Sequence, residues 1–191
     1  MDLSEFNQLS TDDARASLRP CLDVDRWIDG VVSARPFSSV EAALEAARTS
    51  AAPLTDDEIN QAMSHHPRIG EKAEGSSAEA AHSSREQAGL GALDGDVQER
   101  LAAGNAAYEE RSDRLFLIRA AGRSPEEILA ELQRRMANTD TDELAEVGEQ
   151  LIQIAALRLE GILAGASSPP TPSTPHSAPL PPTSRSRSTR A

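Results

Sequence analysis

Apolar residues along most of this chain recur at three- and four-residue steps, the spacing that places them on one face of a helix. Trp27, Ile28, Val31 and Val32 form one stripe; Val40, Ala43, Leu44 and Ala47 form a second; Ile128, Leu129 and Leu132 lie on a third. The longest stripe runs through Leu144, Val147, Leu151, Ile154, Ala155, Leu157, Leu159 and Ile162, and predicts a helix ending near Leu163. Polar starts precede the stripes. Ser10 with Asp13, Ser38 with Glu41, Thr55 with Glu58 and Ser124 with Glu127 share the Ser/Thr-x-x-Asp/Glu form, in which side-chain oxygens satisfy the N–H groups a helix start leaves unpaired. Pro125 takes the first helical position after Ser124, where its missing N–H costs nothing. No segment alternates as a half-buried strand would, but Leu115-Phe116-Leu117-Ile118 is a short apolar run suited to an extended, buried segment. The pattern predicts an all-α fold: a single irregular bundle of six to eight helices over residues 1–166, with no internal repeat.

The pattern stops near Ala166. Seven of the 12 prolines lie beyond it, among Ser and Thr, and Leu180 is the only large apolar residue there. Such a segment buries too little surface to offset the entropy of ordering, so residues 167–191 are expected to be a disordered, Arg-containing tail.

Composition sharpens the picture in two ways. Aromatic residues make up 3% of the 191 and apolar residues 38%, so the core must be built from Ala, Leu, Ile and Val, which favours packed helices. The net charge of −12 argues against nucleic acid or an anionic membrane as partner, while leaving room for an anionic small molecule held by a local Arg or His. Cys21 is the only cysteine, which rules out an intramolecular disulfide and a Cys-based zinc site. The start, Met1-Asp2-Leu3-Ser4-Glu5, has no signal-peptide character and no run approaches the roughly 20 apolar residues of a membrane span. A soluble, cytoplasmic protein is the expectation.

Three residues are candidates for chemistry. His66 stands in His66-Pro67-Arg68-Ile69-Gly70, where proline disfavours helical dihedrals and places the imidazole at a helix end or loop. With an ordinary pKa of about 6.5 it is either an acid–base group facing a cleft or an unremarkable loop histidine. Glu86 is either a helix cap paired with Ser83 or an acid beside that histidine, and the neighbouring Gln87 offers the paired donor and acceptor that recognise a ureido group. Arg158 interrupts the apolar face of the last helix and needs a partner there, either a structural carboxylate or a substrate anion. His65 and His66 are adjacent and so do not form an i, i+4 metal pair, and no nucleotide-binding loop or serine-nucleophile motif is present. Cys21 reads as buried and inert.

Taken in order, several segments resemble the 2-oxo-4-hydroxy-4-carboxy-5-ureidoimidazoline (OHCU) decarboxylases, enzymes of the ureide branch of urate breakdown. The resemblance spans about Phe6 to Leu163. It is carried by Phe6-Asn7-x-Leu9, Cys21 with Trp27, Arg35-Pro36-Phe37 and His66-Pro67-Arg68-Ile69-Gly70. Ser84-x-Glu86-Gln87-Ala88-Gly89-Leu90, Asn105-x-x-Tyr108, Phe116-Leu117-Ile118, Arg134 with Asn138, and Ile154-Ala155-x-Leu157-Arg158-Leu159 continue it. The resemblance implies a cofactor-free, metal-free, all-α homodimer that decarboxylates OHCU to (S)-allantoin. It implies His66 as the catalytic acid/base, Glu86 as the group that orients or polarises it, and Arg158 as the clamp on a polar or anionic substrate group. Pro67, Ser83, Ser84, Arg85 and Gln87 would line the pocket, with the backbone of Phe116, Leu117, Ile118, Arg119 and Ala120. The family usually has Phe-Gly where this chain has Ser112-Asp113; glycine at such a site often serves a positive-φ turn, which Asp tolerates less well. The alternatives are a helical relative acting on another ureido acid, or an inactive one serving as a binding module.

Overall fold

The computed structural model describes residues 1–64, 68–69 and 95–164, and among them all regular structure is helical. Eight helices follow one another in the described residues: α1 (Leu3–Gln8), α2 (Thr11–Leu18), α3 (Asp25–Ser33), α4 (Val40–Thr49), α5 (Asp56–Met63), α6 (Gly95–Ser112), α7 (Pro125–Arg135) and α8 (Asp140–Leu163). The tail, residues 167–191, lies outside the described residues.

Polar caps start these helices where the sequence placed them, with one shift. Ser10 accepts from the Asp13 N–H at α2, and Thr55 with Glu58 and Ser124 with Glu127 close full capping boxes at α5 and α7. At α4 the cap is Ser39, not Ser38: Ser39 accepts from the Ala42 N–H, and Glu41 lies in the first turn. Two caps were not anticipated, Asp2 boxed with Glu5 at α1 and Thr139 at α8, although both carry the same x-x-acid signature.

The predicted stripes become two hydrophobic clusters. The larger joins α1 to α5 with α8, and contains Trp27, Ile28 and Val31 of α3, Ala43, Leu44 and Ala47 of α4, and Leu151, Ile154, Ala155 and Leu159 of α8. The Trp27 indole, fully buried, donates to the Ala47 carbonyl at 2.7 Å, which fixes α3 against α4. Two of the sequence motifs lock to each other. Asn7 exchanges a pair of hydrogen bonds with the Phe37 backbone, both 2.9 Å, while Arg35 donates to the carbonyls of Phe6 and Leu9 and covers the Phe6 ring. The smaller cluster joins α6 and α7 through Leu101, Tyr108, Ile128, Leu129 and Leu132. A Cβ on Gly104 of α6 would lie 3.0 Å from the Leu132 side chain, so a residue without one lets the two helices approach this closely.

The segment between α6 and α7 runs along the seam. Phe116, Ile118 and Ala120 pack into the smaller cluster while Leu117 packs into the larger one. Alternate residues facing opposite sides is the signature of extended chain, as read from the apolar run. The turn into this segment is made by Asp113, whose φ is +53°, with its N–H on the Glu109 carbonyl at 2.9 Å. Ser112 supports the same turn by donating to the Tyr108 carbonyl at 2.7 Å.

Two predictions follow from these local devices. Asp113→Gly is expected to stabilise the fold by about 0.5–1 kcal/mol, since a left-handed residue with a Cβ costs roughly 1–2 kcal/mol and glycine returns part of that gain as unfolded-chain entropy. Thermal unfolding checks it; an unchanged or lowered midpoint would mean that the Asp side chain compensates for its backbone. The second concerns Glu58, whose carboxylate accepts from Arg26 at 2.8 and 2.6 Å. Those bonds, outweighing its partial burial, hold the carboxyl down at about 2. Because the folded state prefers the ionised form, its contribution is complete above the ordinary carboxylate range, about 4.3, and is lost as pH falls toward about 2. Urea midpoints of wild type and Glu58→Gln should therefore differ above pH 5 and converge near pH 2; a gap independent of pH would contradict this.

Candidate active site

The extended segment carries five of the residues expected at the substrate pocket. Phe116, Leu117, Ile118 and Ala120 are buried, and Arg119 is half-buried. No helix or sheet ladder supports this backbone, so side chains do. Arg135 of α7 donates from Nη1 to the Leu117 carbonyl at 2.6 Å, and the Arg119 N–H donates to Oε1 of Gln150 on α8 at 2.9 Å.

Arg135 belongs to a buried ionic network that sequence reasoning missed. It is fully buried, as is Tyr108, and Glu143 is 2% exposed. Its Nε and Nη2 donate to Glu143 Oε1, the former at 2.9 Å, and the Tyr108 hydroxyl donates to the same oxygen. Asn138 donates to Glu143 Oε2 at 2.8 Å and to Glu146 at 3.0 Å. The guanidinium also lies 4.7 Å from the centre of the Phe116 ring. Burial alone would raise the Glu143 carboxyl, but the hydrogen bonds from Arg135 and Tyr108 outweigh it and hold it below the ordinary range. Burial first, and then the bond to Glu143, push the Tyr108 phenol up to about 12. Arg134 and Asn138 of the sequence motif meet on Glu146, which accepts from both. Arg134 sits at the surface with Glu131 and Glu146, and it is Arg135 that shares Glu143 with Asn138. The signal was present: Ile128, Leu132 and Arg135 continue one helical stripe, and Glu143 precedes Val147 and Leu151 on another.

Arg158 lies on α8 and is 3% exposed, as its place on the apolar face implied. Its Nη1 donates to the carbonyls of Pro20 and Cys21 at 3.3 and 3.4 Å. Cys21, buried beside it, therefore serves Arg158 through its backbone. A cleft of about 440 Å³ opens between α4 and α8, lined by Leu44, Arg48, Arg119, Gln153, Leu157 and Glu160. At 100° per residue Arg158 projects from another face of α8, so the cleft and Arg158 are separate features.

The remaining expected residues, His66, Pro67, Ser83, Ser84, Arg85, Glu86 and Gln87, lie outside the described residues. Two members of the histidine motif are described, and both are held by α6. Arg68 makes a two-pronged ion pair with Glu109 at 2.6 and 2.8 Å, and Asn105 donates to the Ile69 carbonyl at 3.1 Å. The bond from Arg68, outweighing partial burial, keeps the Glu109 carboxyl below its ordinary range. Asn105 Oδ1 is buried with no hydrogen-bond partner among the described residues. Among the described residues no cluster of His, Cys, Asp and Glu is arranged to hold a metal ion, and no helix is long and apolar enough to cross a membrane.

This architecture has solved counterparts. A crystal structure of an OHCU decarboxylase in the presence of (S)-allantoin superposes with a TM-score of 0.60 at 21% identity, covering 76% of this chain and 96% of that one. A crystal structure of (S)-allantoin synthase does so with a TM-score of 0.60 at 14% identity, covering 83% of this chain and 53% of that one. At these identities the likeness is one of fold. In sequence, the chain is 27% identical over 161 residues to a 2-oxo-4-hydroxy-4-carboxy-5-ureidoimidazoline decarboxylase of Haloferax volcanii, covering 83% of this chain and 94% of that protein. It is 23% identical over 163 residues to a uric acid degradation bifunctional protein of a Bacillus species, of which it spans only 32%. Residues 7–160 match the family model described as OHCU decarboxylase, a stretch that takes in all of α2 to α7 and most of α8, and on that ground the chain belongs to the OHCU decarboxylase family.

Proposed function

We propose that this protein decarboxylates OHCU to (S)-allantoin in urate breakdown, without a cofactor. The observation that carries it is the family match across residues 7–160. The chemistry suits a protein that supplies only position and protons. When the carboxyl group leaves as CO₂, the electron pair of the broken C–C bond forms a C=C bond to the ureido-bearing carbon, the ring C=N pair passes to its nitrogen, which takes up a proton, and an enol is left. The ureido-bearing carbon then takes a proton on one face while the hydroxyl loses its own and becomes the ring carbonyl. The substrate is its own electron sink. The protein must hold the carboxylate out of the ring plane, so that the breaking bond overlaps the π-system, and must deliver the proton from one side.

In this reading His66 exchanges protons with substrate and Glu86 orients it. Arg158 holds a carboxylate or ureido oxygen, a task for which its anchorage to the Pro20 and Cys21 carbonyls would pre-set the guanidinium. Pro67, residues 83–87 and the backbone of residues 116–120 form the walls. The catalytic domain is residues 1–166, with 167–191 as an appended tail. The family resemblance supports a homodimer, and a single, buried cysteine suits a reducing cytoplasm.

Two outcomes check this. Freshly oxidised urate mixed with the protein should develop the circular dichroism of (S)-allantoin faster than the slow, racemic background, and His66→Ala should abolish that signal while leaving the far-ultraviolet spectrum unchanged. Near-wild-type turnover by His66→Ala would remove His66 from the mechanism. Arg158→Lys, which keeps the charge but loses the planar fork, should lower kcat/KM roughly 10- to 100-fold, and full activity would remove the clamp.

A further inference from the structure

The wall formed by residues 116–120 poses a physical problem. It is buried, extended and outside any sheet, so nothing in its own secondary structure fixes where its backbone groups point. Among the described residues two side-chain bonds do so, from either side of Ile118: Arg135 on the Leu117 carbonyl at 2.6 Å, and Gln150 on the Arg119 N–H at 2.9 Å, while the Arg123 N–H takes the Ala120 carbonyl at 3.0 Å. Both side chains are buried, Arg135 fully and Gln150 at 7% exposure, so neither bond competes freely with water.

We propose that Gln150 is a positioning residue for the decarboxylation: its amide oxygen, acting with the Arg135 guanidinium, sets the register of the substrate-lining backbone relative to Arg158. The proposal rests on the OHCU reading, in which residues 116–120 line the pocket. Gln150 and Arg158 lie eight residues apart on one helix, about 12 Å at the rise of an α-helix, so α8 acts as a ruler that places both a wall of the pocket and the cation beside it. Gln150 serves the wall and Arg158 the Pro20–Cys21 loop, each through a backbone group. Releasing the Arg119 N–H leaves Leu117 anchored and frees the chain two residues further on. The ring would then sit less firmly against one wall, and two quantities should suffer: the rate, which depends on alignment of the breaking bond, and the choice of face for protonation.

Arg135 is a poor test, because removing it strands Glu143 as a buried, unpaired charge and threatens the fold. Gln150→Met keeps the volume and removes the acceptor; Gln150→Asn keeps an amide but draws it back by one methylene; Gln150→Glu keeps an acceptor oxygen in place. The full chain carrying each change should be assayed for kcat, KM, early enantiomeric excess of allantoin, and thermal midpoint. Gln150→Met and Gln150→Asn are expected to fold, to lose about 10- to 100-fold in kcat/KM and to make less enantiopure (S)-allantoin, while Gln150→Glu recovers most of both. A Gln150→Met enzyme within twofold of wild type, or one whose activity falls only with the fraction folded while the enantiomeric excess holds, overturns the proposal. Slow, racemic product from the wild-type protein itself overturns the OHCU reading instead.

Discussion

A guanidinium with no exposure to water organises the second half of this molecule. Burying Arg135 costs several kcal/mol in lost hydration unless its charge and its donors are met, and here they are. Glu143 supplies the charge, the Leu117 carbonyl takes Nη1, and the Phe116 ring covers one side of the guanidinium. Tyr108 and Asn138 satisfy the carboxylate oxygens in turn. These partners come from α6, α8, the turn before α8 and the extended segment between α6 and α7, and they meet Arg135 of α7, so none of these elements can shift without stranding a buried polar group. With Glu143 held below its ordinary range and Tyr108 pushed up to about 12, the network keeps one protonation state across neutral pH.

From that constraint the rest of the site follows along one helix. α8 presents Glu143 to the network, Gln150 to the Arg119 N–H and Arg158 to the Pro20–Cys21 loop, in that order. Its intervening apolar residues bind it to α4 and α5 through the larger cluster. The two clusters meet where Leu117 turns into one and Phe116 and Ile118 into the other. A pocket walled by this segment therefore inherits its shape from both halves of the protein. On the far side, Arg68 and Ile69 are pinned to α6, the helix that also supplies Tyr108. The elements flanking the histidine motif and those carrying the arginine are thus tied to one another through α6 and the ionic network.

The departure from the family pattern at Ser112-Asp113 falls at a place where backbone geometry is demanding. Asp113 occupies the left-handed region that glycine enters at little cost. The turn nonetheless closes, with the Asp113 N–H on Glu109 and the Ser112 hydroxyl on Tyr108, and the segment beyond it is buried on schedule. The departure thus leaves the extended segment buried in its place.

Much of the fold was legible without coordinates, because helix formation answers to local rules. Ser/Thr caps and Pro125 placed the starts of α2, α4, α5 and α7 to within a residue or so, the longest apolar stripe placed the end of α8, and the extended character of residues 115–118 was visible as an apolar run too short for a helix. The burial of Arg158 was equally readable, since a charge on an apolar stripe faces the core wherever that helix packs. What local rules left open was the choice of partner. Arg135 continues the Ile128–Leu132 stripe and Arg134 does not, so which of the two is buried was readable, but only the packing of α7 against α6 and α8 brings Glu143, Tyr108 and the Leu117 carbonyl to it. Gln150 looked like any amide on a helix until the fold brought the Arg119 N–H to it from 31 residues away. By itself the sequence determined most of the helices, though not α1 or α6, the class of fold and the family; the tertiary structure decided which polar groups the core would take in. The reason is physical: periodicity is a property of one helix, whereas a buried charge is tolerated only where elements distant in sequence converge to satisfy it.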